Sequence, residues 1–367
     1  IYCNGTWDTW LCWPPTKGGM KVKLPCPDRP GLIPTNFAHR TCGPMGKWEG
    51  RTKNDYSMEN GYSNYMDCYT EEAKEIYYKY FANKSDAQKQ LLYDIVSSTR
   101  TLEICGLALS MVTTFISLII FMYFRQCNRT RIHKNLFVSI LVQVLIELIQ
   151  YVDQEIARSS LGENDDNSIS NTPVFCEVVY ALIEYTKTVK FMWMFIEGFY
   201  LHNLIVVSVF TGRPSYPLYY FLGWGVPMVL TIAWYIHYVL FFFSIYRCWY
   251  AYYNMPIIWI IEAPRVAVIL VNMLFLLNII RVLILKLRES HTNEANRVRK
   301  AVKAAIVLLP LLGITNFVVM IDPDTEDLVS FGAWAFISHF LISFEGFFIS
   351  LIYCFLNGEV SIIFHYW

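Results

Sequence analysis

From residue 102 onward, apolar runs long enough to cross a membrane alternate with short polar breaks. Seven such runs stand out: 102–124, 132–157, 174–209, 218–243, 256–287, 300–321 and 331–356. About 20 helical residues at 1.5 Å each span the hydrocarbon of a bilayer, so each run predicts a transmembrane helix, and the longest predict tilt or projection beyond it. The first 70 residues follow a different pattern. Short apolar stretches are punctuated there by turn signals, WPPTKGG, CPDRPG and CGPMGKW, which predict small β-hairpins. Residues 70–95 are polar and helix-permissive and read as a linker into the first membrane helix.

The third run breaks the apolar pattern. Between Cys176 and Phe210 it carries Glu184, Lys187, Lys190 and Glu197. On a helix Lys187, Lys190, Met194, Glu197 and Leu201 fall on one stripe, and a stripe with three ionisable groups cannot face lipid. This helix is expected at the centre of a bundle. Two shorter helices in water are the alternative, but no loop-like composition separates FMWMF from LIVVSVF.

Composition places the whole chain in the membrane class. It is 55% hydrophobic and only 16% charged over 367 residues, too apolar for a soluble protein of that size. Formal net charge is zero, so the placement of charge matters rather than its sum. One set of loops is basic: Arg125, Arg129, Arg131 and Lys134, then Arg213, then Lys286, Arg288, Arg297, Arg299, Lys300 and Lys303. The opposite set carries Glu163, Asp165, Asp166, Asp322, Asp324, Glu326 and Asp327, with Arg247 as the exception. The positive-inside rule then puts the N-terminus outside and, after seven crossings, the C-terminus in the cytosol.

Cysteine usage agrees with that orientation. Cys3, Cys12, Cys26, Cys42 and Cys68 lie in the first 70 residues, a stretch too polar to hold itself together without crosslinks. Five is odd, and no signal-like segment precedes Cys3, so a trimmed chain with the missing partner upstream of Ile1 is expected. Cys176 and Cys248 fall on the same outer side and are expected to bridge, whereas Cys105, Cys127 and Cys354 read as small apolar residues. Glycosylation sequons start at Asn4 and Asn83 on the outer side; a third, at Asn128, falls in the cytosol, where it stays unmodified. Pro310 and Gly313 sit mid-helix in the sixth run and mark a hinge. Phosphate-cradling glycines, metal-ligand spacings and nucleophile elbows are absent, as is an evident inverted repeat. An enzyme, a transporter, a metal site, a cofactor and a nucleic-acid partner are therefore not expected.

Local strings now carry a resemblance. CNGTWDTWLCW, CP and CGPMGKW, followed by RTRIHKNLF, EGFYLHNLIVV, LGWGVP, LLNIIRVL, IVLLPLLGI and GFFISLIYCFLNGEV, resemble the secretin-like (class B) G-protein-coupled receptors, in the family's order and over essentially the whole chain. Within it, TWDTWLCWPPT, TRTLEICGL, NTPVFCE and KFMWMFIEGFYLHN are most similar to the subgroup answering pigment-dispersing factor, an invertebrate neuropeptide, with calcitonin-type or other secretin-like peptides as the alternative. The implied fold is an all-α seven-transmembrane bundle behind a small disulfide-linked α/β extracellular domain. Its parts are an extracellular hormone-binding domain and linker over 1–95, the bundle over 96–356, and a cytosolic amphipathic helix beginning over 357–367. The implied function is that of a multi-pass plasma-membrane receptor which binds a peptide and signals through a stimulatory G protein to cyclic AMP.

The resemblance also implies roles for residues. It pairs Cys3 with Cys42 and Cys26 with Cys68, leaving Cys12 for a partner upstream, and makes Asp8, Trp13, Pro27 and Trp48 the ectodomain core. It implies a switch cluster in which His133, Glu197 and Tyr353 match, while Ala305 stands where the family has Thr, beside the Pro310 and Gly313 hinge. Arg129, Lys300, Asn357 and Glu359 fall on the G-protein side. Lys190 and Glu345 replace a family Asn and Gln, two amides exchanged for opposite charges, and a buried ion pair between them is expected. Glu103, Gln143, Asp153, Glu184, Lys187, Glu262, Arg265 and Thr315 complete the candidate peptide pocket, Glu262 standing where the family generally has Arg.

Overall fold

The computed structural model describes residues 1–27, 32–58, 60–82, 84–123, 128–159, 169, 172–207, 215–242, 256–289 and 327–355. The sixth apolar run, with Ala305, Pro310, Gly313 and Thr315, lies outside the described residues, as do Asn83, Cys248, Lys300, Asn357, Glu359 and the side chain of Arg129. Two compact units result, one built on Ile1–Lys84 and one on the long helices from Ser85 onward, each with its own core.

In the first unit the turn signals close three antiparallel ribbons. β1 (Tyr2–Cys3) pairs with β4 (Thr16–Lys17), β2 (Thr6–Trp7) with β3 (Cys12–Trp13), and β5 (Lys21–Pro25) with β6 (Phe37–Thr41) in the register Lys21 to Thr41. Period-2 alternation turns Ala38 and Arg40 of β6 inward and leaves Phe37 exposed. Among the described residues the buried core is Cys3, Trp13, Cys26, Leu32, Ala38, Cys42, Trp48 and Cys68, and half of these are bridged cysteines. Cys3 joins Cys42 and Cys26 joins Cys68, closing loops of 39 and 42 residues. In the chain-entropy model each such crosslink is worth about 4 kcal/mol, which offsets the small apolar core. Cys12 is an exposed free thiol.

Asp8 organises this unit. Its Oδ1 accepts from the Trp10 and Leu11 backbone N–H groups at 3.0 and 2.8 Å, and its Oδ2 from Trp13 Nε1 and the Tyr65 hydroxyl, both at 2.7 Å. Arg40, 2% exposed, lays its guanidinium over Trp48 at 4.7 Å and near Trp13 at 5.9 Å. Burial pulls the Arg40 group below its ordinary value, opposed by the Asp8 charge. Burial alone would raise the Asp8 carboxyl, but the neighbouring Ser63 hydroxyl and the bonds from Leu11, Tyr65 and Trp13 outweigh it and hold it at about 2. Pro27 is half-buried beside Cys26.

The stretch expected as a linker is helical. Thr70 caps α1 (Glu71–Tyr80) by accepting from Ala73 N–H, and Ser85 and Gln88 exchange side-chain-to-backbone bonds at the start of α2 (Asp86–Tyr123). Ser-x-x-Gln is a capping box, so α2 starts 16 residues before the apolar run it carries. The remaining helices are α3 (Asn128–Ser159), α4 (Pro173–His202), the short α5 (Tyr216–Tyr220), α6 (Val226–Phe242), α7 (Trp259–Glu289), α8 (Leu328–Ser343) and α9 (Glu345–Ser350). Spans of membrane length and apolarity lie at Asp86–Tyr123, Thr130–Ile156, Tyr216–Leu240 and Pro256–Val282, and α8 with α9 forms a fifth, bent by 48° at Phe344. α4 is 30 residues long, enough to cross a bilayer, and carries Glu177, Glu184, Lys187, Lys190 and Glu197 along its length.

Small residues hold that bend together. Ser110 of α2 donates to the Ser343 carbonyl at 2.6 Å and accepts from Phe347 N–H at 3.2 Å, replacing bonds the broken helix cannot make. Gly346 packs so closely on α2 that a Cβ there would stand 2.9 Å from that of Ser110. On its other side α2 exposes Val112, Phe115, Ile119 and Met122, a lipid-facing stripe.

Asp8 gives the first testable expectation. Because the folded carboxyl titrates at about 2, below its ordinary 3.8, its contribution is complete above pH about 4 and is lost as pH falls toward 2. Hydrogen exchange at amides of residues 1–70 should show this acid limb. Asp8→Asn should flatten the limb and lower local stability at neutral pH by about 2 kcal/mol; unchanged protection would remove Asp8 from its organising role.

Candidate functional site in the polar interior of the bundle

α4 supplies charge at three depths, meeting α7 and α3 at the first, α9 at the second and α3 again at the third. Glu184, fully buried, accepts Arg265 Nη2 of α7 at 2.8 Å through its carboxylate and at 2.7 Å through its backbone carbonyl. Thr188, one turn on, accepts Arg265 Nη2 at 2.7 Å and Nε at 3.1 Å, while Nη1 turns back to Glu262 at 2.6 Å. Lys187 stands 3.4 Å from Glu184 and 3.9 Å from Glu147 of α3, which also accepts from Gln143.

At the next level the Lys190 ammonium donates to Glu345 Oε2 of α9 at 2.6 Å, both residues under 10% exposed. Glu345 is the first residue after the bend. The pair therefore ties α4 to the place where the last span changes direction.

Deeper still, His133 Nδ1 of α3 lies 3.1 Å from Glu197 Oε1, without the alignment of a hydrogen bond, and the Tyr353 ring rests on the imidazole with centroids 4.6 Å apart. A fourth cluster joins α2 and α8. Glu103 Oε1 meets His339 Nδ1 at 2.6 Å and accepts the Tyr151 hydroxyl at 3.3 Å, and Arg100 stands 3.5 Å from its other oxygen.

These arrangements form polar layers inside an apolar rod. Residues 96–349 match the family model of the 7 transmembrane receptor (Secretin family), and residues 1–71 that of the Hormone receptor domain. The chain belongs to the secretin family of seven-transmembrane receptors. It is not an enzyme. It is 46% identical over 372 residues, 99% of its length, to the PDF receptor of Drosophila melanogaster, and spans 54% of that receptor. Identity is 36% both to calcitonin receptor-like protein 1 of Caenorhabditis elegans and to the human calcitonin receptor, each over 98% of this chain and 67% and 69% of theirs.

The structure spreads the expected pocket residues over several polar clusters: Glu184, Lys187, Glu262 and Arg265 share one, at whose edge Gln143 bonds Glu147, Lys190 reaches Glu345, and Glu103 is buried beside His339. Asp153 is half-buried on α3. Cys176 is disulfide-bonded; the expected partner, Cys248, lies outside the described residues. Glu147, Thr188, Tyr151, His339 and Arg40 were not singled out from the sequence. Glu147 had a signal, an ionisable group inside the apolar run QVLIELIQ; Thr188 and Arg40 had none, since a helix threonine or a strand arginine is most often unremarkable.

A mutant cycle probes the central pair. Lys190→Met or Glu345→Gln alone leaves one buried charge unmatched and should destabilise the detergent-purified receptor by about 3–5 kcal/mol, whereas the double variant should regain most of that loss. Additive losses in thermal unfolding would mean the two charges are not coupled.

Proposed function

We propose that this chain is a plasma-membrane receptor, N-terminus outside, for pigment-dispersing factor or a closely similar neuropeptide, acting through a stimulatory G protein to raise cyclic AMP. The observation that carries this reading is the 46% identity with the Drosophila PDF receptor over 99% of the chain, a match that takes in both the N-terminal and the membrane portions. A calcitonin-type ligand is the second reading, supported by 36% identity to the human calcitonin receptor over 98% of the chain.

In the proposed mechanism residues 1–95 hold the C-terminal half of the peptide as an amphipathic helix in an apolar groove, with glycans at Asn4 and Asn83 kept clear of it. The peptide's N-terminal half enters the 96–356 bundle among Glu103, Gln143, Asp153, Glu184, Lys187, Lys190, Glu262, Arg265, Thr315 and Glu345. Binding biases the sixth helix, hinged at Pro310 and Gly313, to swing its basic inner end outward. Arg129, Lys300 and the 357–367 segment with Asn357 and Glu359 then face the G protein. His133, Glu197 and Tyr353 form the inner lock, with Ala305 in place of a hydrogen-bonding Thr.

The test is cyclic AMP accumulation in cells expressing the receptor, challenged with pigment-dispersing factor and calcitonin-like peptides at matched doses. A selective, saturable rise to pigment-dispersing factor is expected; a response to another peptide alone would overturn the ligand, and silence at normal surface expression the coupling. Ala305→Thr, which adds a hydroxyl to the lock, should lower ligand-free cyclic AMP, and an unchanged basal level would take Ala305 out of the switch.

A further inference from the structure

Gln143 and Glu147 lie one turn apart on α3, 5% and 8% exposed. Gln143 Nε2 donates to Glu147 Oε1 at 3.1 Å. That orientation suits a carboxylate, because the flipped amide would aim its oxygen at negative charge. It leaves Gln143 Oε1 buried and without a hydrogen bond, a costly state for an amide oxygen.

Glu147 is poorly neutralised. The cation beside it is Lys187 at 3.9 Å, which sits nearer to Glu184 at 3.4 Å. Arg265 is committed elsewhere, to Glu184, Glu262 and Thr188. Among the described residues the carboxylates of Glu147, Glu184 and Glu262 lie around Lys187 and Arg265, and Glu147, at 3.9 Å the most distant from a cation, stands beside an unused acceptor. Lys187 and Glu262 keep 26% and 30% side-chain exposure, which gives a ligand an approach.

We propose that Glu147 and Gln143 Oε1 form a subsite for a primary ammonium carried by the peptide, its α-amino terminus or a lysine side chain. The proposal rests on the peptide-receptor reading above and adds the chemistry of one contact. An ammonium is a compact charge with several N–H donors, so it can satisfy the carboxylate and the amide oxygen together. A guanidinium fits less well, since its fork prefers both oxygens of one carboxylate, and Glu147 Oε1 already accepts from Gln143.

The test uses cyclic AMP dose–response curves in cells expressing the receptor at matched surface levels. The probes are pigment-dispersing factor unmodified, N-acetylated, and with lysine replaced by norleucine, on wild type, Glu147→Gln, Gln143→Leu and Glu147→Asp. Loss of the recognised ammonium should cost about tenfold to a hundredfold in potency on wild type, the size of one charge-assisted hydrogen bond. Glu147→Gln should cost the unmodified peptide a similar factor and cost nothing further to the analogue lacking that ammonium, and Glu147→Asp should recover part. The acetylated arm identifies the terminus, the norleucine arm a lysine. Equal losses for every analogue on Glu147→Gln, or full potency of both modified peptides on wild type, would overturn the subsite. Silence of wild type to the unmodified peptide would speak against the proposed ligand instead, and a second measurement then decides. In the purified, ligand-free receptor Glu147→Gln should raise the unfolding temperature, because it removes an under-neutralised charge; a lowered temperature would mark a purely structural pair and end the proposal.

Discussion

An ammonium inside hydrocarbon must find a carboxylate, and for Lys190 that carboxylate is Glu345, 155 residues later on another helix. This requirement sets the rotation of α4. With Lys190 turned toward α9, the helical period carries Glu184 and Thr188 to Arg265 on α7, and brings Glu197 to His133 on α3. One rod therefore meets three neighbours at three depths. The apolar packing of Phe137, Ile140, Val189, Trp193 and Ile349 fills the space between, but apolar side chains have no angular preference strong enough to fix which face looks inward.

The same pair depends on a broken helix. Glu345 follows Phe344, where the last span bends by 48°, and no proline stands there to cause the bend. It is held instead from α2: Ser110 satisfies the freed carbonyl of Ser343 and the amide of Phe347, and Gly346 lets the two backbones approach. A larger residue at 346 would push α9 off α2 and draw Glu345 away from Lys190. Packing of small residues and pairing of charges are thus one constraint seen from two helices.

How much of this could be foreseen depended on whether a residue's role was local. Apolar runs, turn signals and the charged stripe of α4 carry their meaning within a few residues, and they located the helices and the ribbons. The Lys190 to Glu345 contact could be anticipated because two opposite charges at membrane depth have few ways to be tolerated. Arg40 could not, since an arginine on a short strand is ordinarily solvated, and only the assembled ribbons bring Trp13 and Trp48 beneath it. The start of α2 is legible only as helix-permissive: the polar stretch before residue 102 offers a short apolar period, Leu92 and Ile95, and its helix begins at the Ser85 and Gln88 cap. The bend at Phe344 has no proline to announce it, and Gly346 beside it is by itself compatible with an unbroken helix.

Two departures from the secretin-family pattern act in opposite directions in the proposed receptor. Exchanging the Asn and Gln amides for Lys190 and Glu345 replaces a neutral hydrogen bond with an ion pair, which resists separation over a longer distance because Coulomb attraction in a water-poor interior falls slowly. In the proposed switch, Ala305 stands where the family has Thr and would take a hydrogen-bonding group away from the lock around His133 and Glu197. A receptor that loses a restraint near the cytosolic end and gains one near the middle need not become noisier; its resistance to opening moves outward, toward the cavity a peptide would enter. In the proposed receptor the work of opening is done where the ligand binds, and a cation delivered beside Glu147 and Lys187 would alter the charge balance one helical turn from the Lys190 to Glu345 pair.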